Sequence, residues 1–366
     1  MISENKKGFS GLRATFLPIY NSELRKFLPM AFIMFCILFN YTLLRDTKDA
    51  LVVNAVDASV IPFLKFFFVT PASILFVIIY AKLSNSLSRE NVFYSVLFPF
   101  LVFFGAFGFL IQPNVDFLHF TNEAISSAKL VSPKVTHDFI NVFSVWGYSL
   151  FYILSEIWGS AMVALLFWQF ANEITRTSEA KRFYGMFILL SNIAMIFSGL
   201  SVKTFSKGYS SETSIMLLTS LVLGSGIIIM YLYRWINVNV MTDSKYYDAA
   251  ETSKKPKKKK VKLSAAESFK VLFTSKYLLM ITLLVLSYGI SINLVEVLWK
   301  EQIVKQFPIQ TDYNAFMGNL TIGTGIATIL IVLFSKNMIS RFGWFTGAIM
   351  TPAVILITGL LFFGCM

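Results

Sequence analysis

The stretch NYTLLRDTKDALVV, residues 40–53, decides how this chain is interpreted. It follows an apolar run over residues 27–39 and places four charges close together, on Arg45, Asp46, Lys48 and Asp49. By residue 61 the sequence is apolar again. Charges beside hydrocarbon are costly unless they pair or face water, so they mark a functional site by default. The stretch therefore predicts a functional charge cluster at the mouth of a membrane span.

The composition around this stretch is that of a membrane protein. Of the 366 residues, 56% are hydrophobic and 14% are charged, whereas soluble domains carry about 25% charged residues. A membrane-spanning helix needs about 20 mostly apolar residues. Nine such spans are predicted, at residues 27–44, 61–83, 91–112, 140–170, 182–203, 212–236, 276–299, 314–335 and 343–364. The predicted fold class is therefore an all-α polytopic membrane protein.

A basic connection divides the chain. It carries KKPKKKKVK at residues 254–262, a run that can also signal nuclear import or nucleic-acid binding. Beside nine spans we interpret it as a solvated cytoplasmic linker that contacts anionic lipid, and we expect no nucleic-acid partner. Most of the 32 Lys and Arg residues fall on the linker's side, which predicts a cytoplasmic N-terminus. The predicted units are an N-terminal cytoplasmic segment (1–26), a six-helix bundle (27–236), the linker (237–275) and three further helices (276–366).

A weak internal repeat crosses the linker. Asn40 precedes Lys82 by nearly the same separation as Asn293 precedes Lys336, each pair running from one span to the end of the next. Such repeats are typical of transporters built from two parallel halves. The repeat predicts that three more helices follow residue 366, so the chain would hold about nine of twelve.

The residues that could carry chemistry are charges inside the spans. The chain has no GxxxxGK[ST] phosphate loop and no evident catalytic set, so we predict neither an enzyme, a cofactor nor a metal site. Lys65 lies one turn into the second predicted span, Glu156 midway along the fourth and Glu296 in the last turn of the seventh. Two plainer interpretations remain open: Lys65 reaching the interface with its head group, and Glu296 pairing with Lys300 at i+4.

Paired cations and carboxylates can form a site for an anionic ligand, which binds the cations in place of the carboxylates. Lys65 and Arg45 can bind phosphates as a point charge and a planar fork. Glu156 and Glu296 can hold those cations when the site is empty. The predicted substrate-binding set is Arg45, Lys48, Lys65, Glu156, Asn293, Glu296 and Lys300.

Several segments of the chain resemble the nucleotide transporter family of ATP/ADP translocases, found in intracellular bacteria and plastids. They are NYTLLRDTKDALVV (40–53), IPFLK (61–65), YAKLSN (80–85), SEIWGS (155–160), LLFWQFANEITRTSEAKRFYG (165–185) and INLVEVLWKEQ (292–302). The resemblance implies a twelve-helix, major-facilitator-like fold. It also implies essential charges at Lys65, Glu156 and Glu296. We interpret Arg45 and Lys48 as lying further out, in an outer vestibule, where they attract or gate the phosphates. A family lysine of the late C-terminal half has no counterpart, which also predicts a truncated chain.

The function implied is an ATP:ADP antiporter that imports host ATP in exchange for ADP and phosphate by alternating access. We expect a monomer in the bacterial inner membrane, with ATP and ADP as its ligands. One alternative is a proton-coupled or exchange importer of other nucleotides, such as GTP, UTP, CTP or NAD. Another is an inactive, truncated remnant.

Overall fold

The computed structural model describes residues 19–243, 246–247 and 273–364, and every regular element within them is a helix. The basic run at residues 254–262, most of the predicted segments 1–26 and 237–275, and Cys365 lie outside these residues. The helices are α1 (Leu24–Ala55), α2 (Val60–Ser86), α3 (Arg89–Leu118), α4 (Asn122–Val131), α5 (His137–Ser144), α6 (Trp146–Ile174), α7 (Thr177–Gly208), α8 (Ser211–Asn239), α9 (Lys276–Gln306) and α10 (Gln310–Gly364).

Eight helices among the described residues are long and apolar enough to cross a membrane, which confirms a polytopic helical membrane protein. They correspond to the first eight predicted spans, and the stretch of α10 that qualifies is Gln310–Leu333. The ninth predicted span, residues 343–364, coincides with the last part of α10, which stays helical to Gly364. It is separated from the rest of α10 at Gly343, whose φ of 82° suits a residue without a Cβ.

The bounds of three predicted spans were wrong. α1 runs on to Ala55 instead of ending near residue 44, so the charged stretch lies inside a helix and not at its mouth. The fourth span begins at Trp146, because α5 is a separate short helix. α9 continues to Gln306, which leaves Glu296 more than two turns before its end.

α1 is the central helix of the described structure. It packs against α6, α7, α8 and α10, and most of its length is buried. Trp158 on α6 is fully buried beside it and donates from Nε1 to the Ile37 carbonyl oxygen over 3.3 Å. Cys36 is buried in the same core. By contrast, α2 and α9 expose apolar side chains along most of their length, which suits helices that contact lipid.

Ion pairs hold the N-terminal end of α1. Lys26 Nζ lies 2.7 Å from Glu179 Oε2 on α7, and both side chains are buried. Glu23 accepts two hydrogen bonds from Arg182, over 2.6 and 2.8 Å. This end lies about 34 Å along the helix from Asp49, at 1.5 Å per residue. Each end of α1 is therefore anchored by its own set of charges.

Glycines allow α7 and α10 to touch along their backbones. A Cβ added to Gly318 on α10 would lie 2.7 Å from the Gly199 carbonyl oxygen on α7, and one added to Gly199 would lie 2.6 Å from the Gly318 carbonyl oxygen. Small residues permit this close approach between membrane helices. The contact joins helices that precede and follow the basic linker.

Gly318→Ala is expected to destabilise the protein by about 1–3 kcal/mol, since the added methyl group must push two backbones apart. The matched control is Gly323→Ala on the same helix, where an added Cβ meets nothing within 4 Å. Thermal unfolding in detergent, followed by tryptophan fluorescence, measures both. Equal unfolding temperatures for the two variants would contradict the close packing of α7 on α10.

Candidate functional site

Six charged side chains from four helices form a continuous series, called here the charge network: Lys65, Glu296, Lys300, Asp49, Lys48 and Glu156. Neighbouring members alternate in sign. The N–O distances along the series are 2.7 Å for Lys65–Glu296, 2.7 Å for Glu296–Lys300, 2.7 Å for Lys300–Asp49, 2.7 Å for Asp49–Lys48 and 3.0 Å for Lys48–Glu156. Each interior member therefore contacts two partners of opposite charge.

Local helix geometry brings these side chains to one place. Lys48 and Asp49 are consecutive residues of α1, and Glu296 and Lys300 are one turn apart on α9, which places the latter two on one face. Lys65 opens a π-helical turn of α2 that spans Lys65–Val69. Glu156 lies just before a longer π-helical segment of α6, Gly159–Phe167. Such π-helical turns occur frequently at functional sites.

Close packing of α1 on α6 supports the π-helical segment. A Cβ on Gly159 would lie 2.5 Å from the ring of Tyr41 on α1, so glycine is required for this approach. The aromatic ring of Tyr152, also on α6, lies under Lys48, with Nζ 3.9 Å from the ring centre. A lysine over an aromatic face gains electrostatic stabilisation. α6 thus supplies Lys48 with both a carboxylate and an aromatic face.

Burial differs along the charge network. The central members Lys300, Asp49 and Lys48 have side chains at most 3% exposed. The outer members Lys65, Glu296 and Glu156 are 23–28% exposed. The outer members of the charge network are therefore more accessible than its buried centre.

The charge network is electrically balanced. Three lysines oppose three carboxylates, which is how buried charges are tolerated where the dielectric is low. Removing one partner leaves an uncompensated charge at a cost of about 3–5 kcal/mol. A polyanion can be accepted when the lysines exchange their carboxylate partners for its oxygens.

A second pairing joins α1 to α10 beside the charge network. Asp46 is fully buried; its Oδ1 accepts from Arg45 Nε over 3.3 Å, and its Oδ2 accepts from Thr321 Oγ1 over 2.7 Å. The Arg45 side chain is 37% exposed. Asp46 thus ties the two helices together, while part of the Arg45 side chain stays accessible.

The structure brings six of the seven predicted binding residues together. Five of them belong to the charge network, and Asn293 Oδ1 accepts a hydrogen bond from Lys65 over 3.1 Å. Arg45 pairs with its neighbour Asp46 instead. The plainer interpretation of Glu296 also holds, because it pairs with Lys300 at i+4 as well as with Lys65.

One placement differs from expectation. Lys48 was predicted in an outer vestibule, separate from Glu156, but it is buried and pairs directly with that carboxylate. The reason is that α1 continues as a helix through the charged stretch. Lys48 therefore points into the bundle and not toward the surface.

Sequence reasoning missed Asp46 and Asp49 as members of the site, although both were visible as charges. Their spacing of three residues was the available signal, since it places them on one helical face. It was overlooked because the helix was expected to end first. Thr321 carried no comparable signal. Among the described residues, no group of three or more His, Cys, Asp or Glu side chains is placed to hold a metal ion.

Comparisons with known proteins agree with the chemistry of this site. A protein-family model described as TLC ATP/ADP transporter matches residues 2–366. ADP,ATP carrier protein 1 of Chlamydia pneumoniae is 44% identical over an alignment that covers 99% of this chain and 72% of the relative. ADP,ATP carrier protein 1 of Rickettsia bellii is 42% identical, covering 97% of this chain and 71% of the relative.

A plastid relative is similar at the same level. The chloroplastic ADP,ATP carrier protein 1 of Arabidopsis thaliana is 43% identical over 354 residues, which cover 93% of this chain and 55% of the relative. No solved structure significantly matches the chain.

Proposed function

Since the chain belongs to the TLC ATP/ADP transporter family, as its sequence motifs predicted, we propose that it exchanges ATP for ADP across a membrane. The observation that carries the proposal is the balanced charge network, whose lysines lie between helices that precede and follow the basic linker. Transport alters no covalent bond of the nucleotide, so the protein acts as a carrier and not as an enzyme. The names of the relatives, ADP,ATP carrier proteins, support adenine nucleotides as the ligands.

The phosphates of the nucleotide bind the lysines of the charge network. Lys65 is reached first, because its side chain is 26% exposed, and Lys300 and Lys48 lie behind it. Arg45, Asn293 and the outer carboxylates Glu296 and Glu156 complete the predicted binding set. Charge-assisted bonds between lysine and phosphate are about twice as strong as neutral ones. They compensate for the carboxylate contacts that are lost.

Alternating access follows from the position of these pairs. Lys65 and Asp49 belong to helices before the linker, and their partners Glu296 and Lys300 belong to α9 after it. The contacts hold the two sides together at this end of the bundle. Opening this end requires them to break, and the ligand supplies the replacement partners. A ligand shifts such an equilibrium by its difference in affinity for the two states.

Exchange is tested directly in proteoliposomes. Vesicles that contain the purified chain and internal ADP are expected to take up radiolabelled ATP, whereas vesicles without internal nucleotide take up little. Protein-free vesicles loaded with ADP are the control. Absence of ADP-dependent ATP uptake by correctly inserted protein would refute the proposed exchange and favour an inactive remnant.

Other nucleotides carry the same phosphates, so the lysines alone do not select the base. GTP, UTP, CTP and NAD are therefore tested as competitors of labelled ATP uptake, with and without a proton gradient. We expect unlabelled ATP and ADP to compete best and the gradient to have no effect. Stronger competition by another nucleotide, or a requirement for the gradient, would favour the alternative importer.

The proposal also covers the location and the orientation of the carrier in the membrane. We place it as a monomer in the inner membrane of an intracellular bacterium, importing host ATP, with its N-terminus in the cytoplasm. The basic run at residues 254–262 then faces the cytoplasmic leaflet and contacts anionic lipid there. A protease added to intact spheroplasts is expected to leave an N-terminal tag uncut. Cleavage of the tag would reverse the orientation.

A further inference from the structure

Asp49 differs from the other carboxylates of the charge network in what it can do. Its Oδ1 and Oδ2 each bind a lysine at 2.7 Å, Lys48 on its own helix and Lys300 on α9. This is the arrangement that two oxygens of one phosphate group would adopt between the same lysines. Asp49 therefore occupies the place of a bound anion.

The outer glutamates can release their lysine partners more easily than Asp49 can. Glu296 and Glu156 are 23% and 28% exposed, and their longer side chains can turn toward water while their helices stay in place. Asp49 is 3% exposed and has a short side chain. Its contact with Lys300 breaks only when α1 and α9 move apart, since the buried side chain has no water to turn to.

Breaking this contact has different costs in the empty and the loaded carrier. Without a ligand, Lys300 and Asp49 would each lose a buried partner, which is strongly unfavourable. With phosphate present, the lysines gain new anionic partners and the carboxylate is repelled. The ligand is therefore the natural trigger for separating the two helices.

On the basis of the proposed function, we propose that Asp49 is a latch that ties α1 to α9 in the empty carrier and is displaced from Lys48 and Lys300 by phosphate oxygens of the nucleotide. The latch hinders reorientation of the empty carrier. It thereby makes exchange strict: one nucleotide leaves only when another enters. Asp49 is a positioning residue, because it acts through the two lysines.

Asp49→Asn tests the latch through two measurements. Calorimetry with pyrophosphate is expected to show at least fivefold tighter binding than in the wild type, because a competing carboxylate is gone, while adenosine binding is unchanged. Vesicles preloaded with labelled ADP are expected to lose it several-fold faster into nucleotide-free medium. Asp49→Glu, which keeps the charge, is expected to restore slow efflux. Unchanged pyrophosphate affinity together with unchanged efflux would overturn the proposal.

A second experiment remains informative if Asp49→Asn does not fold. Ala50 on α1 and Ile303 on α9 belong to one buried cluster beside the latch. In a background in which both native cysteines, Cys36 and Cys365, are replaced by serine, the double variant Ala50→Cys/Ile303→Cys is expected to form a disulfide readily without ligand and several-fold more slowly with pyrophosphate. An equal rate with and without pyrophosphate would overturn the latch.

These outcomes separate the two proposals. The latch alone is refuted if the wild type exchanges ATP for ADP, the Asp49 variants keep wild-type pyrophosphate affinity and efflux, and the disulfide forms at the same rate with and without pyrophosphate. If the wild type shows no exchange, the proposed function itself fails.

Discussion

Lys300→Gln is expected to abolish exchange and to lower the free energy of unfolding by about 3–5 kcal/mol, the range for breaking a buried ion pair. The Lys300 side chain is 1% exposed and contacts Asp49 and Glu296, each at 2.7 Å. Without its charge, the charge network holds one carboxylate too many. The variant also loses the buried cation that phosphate would contact. Thermal unfolding in detergent and ATP uptake by proteoliposomes measure the two effects.

Lys305→Gln is the matched control for this substitution. Lys305 lies on the same helix, is 61% exposed and pairs with Glu301 at i+4 over 2.8 Å. Exposed pairs of this type contribute about 0.3–0.5 kcal/mol. If Lys300→Gln and Lys305→Gln lowered the free energy of unfolding by the same amount, the buried ion pairs of Lys300 would be contradicted.

The double variant Asp49→Asn/Lys300→Gln sharpens the test. Because both charges of one pair are removed together, we expect it to be more stable than Lys300→Gln alone. Exchange should stay absent, since the buried cation is still missing. Strictly additive losses of stability would show that the two residues are not in contact.

Glu156→Gln is expected to reduce exchange at least a hundredfold while leaving membrane insertion intact. Glu156 is the partly exposed partner of Lys48, 3.0 Å away, and is able to take that lysine back when phosphate leaves. Glutamine has nearly the same shape but no charge, so phosphate release slows. Insertion persists because the helix remains apolar. Near wild-type uptake by the variant would remove Glu156 from the site.

Glu301→Gln is the matched control for Glu156→Gln, and efflux distinguishes the role of Glu156 from that of Asp49. Glu301→Gln changes a carboxylate that is 41% exposed and pairs with Lys305, so uptake should stay near wild type. Glu156→Gln should also keep efflux into nucleotide-free medium slow, because Glu156 pairs within the helices before the linker. Fast efflux from this variant would contradict a latch located at Asp49.

Much of the site was predictable from composition and local context. Lys65, Glu156 and Glu296 stood out because each is an ionisable residue inside an apolar run, where an unpaired charge is costly. The lysine one turn after Glu296 was visible from i+4 spacing alone. Family motifs then indicated nucleotide transport, in agreement with the family match over residues 2–366.

The misplaced end of α1 shows where sequence reasoning fails. Hydropathy predicts that this span ends at residue 44, because charged residues follow the apolar run. The helix continues because Lys48 and Asp49 are neutralised by residues on other helices, and the buried Asp46 accepts a hydrogen bond from Thr321 on α10. A local measure of hydropathy cannot register a partner that is distant in the chain.

By itself, the sequence determined the class of protein, the approximate spans and which ionisable residues lie inside apolar segments, where they are candidates for function. These properties depend on transfer of side chains to lipid, which is local and additive along the chain. Only the tertiary structure decided which cation meets which carboxylate. Lys65 and Glu296 are 231 residues apart in the chain. A lysine is attracted by any carboxylate, so the sequence alone does not show which one it will contact. The stretch at residues 40–53 therefore became the buried centre of the charge network only when α6, α9 and α10 packed around it.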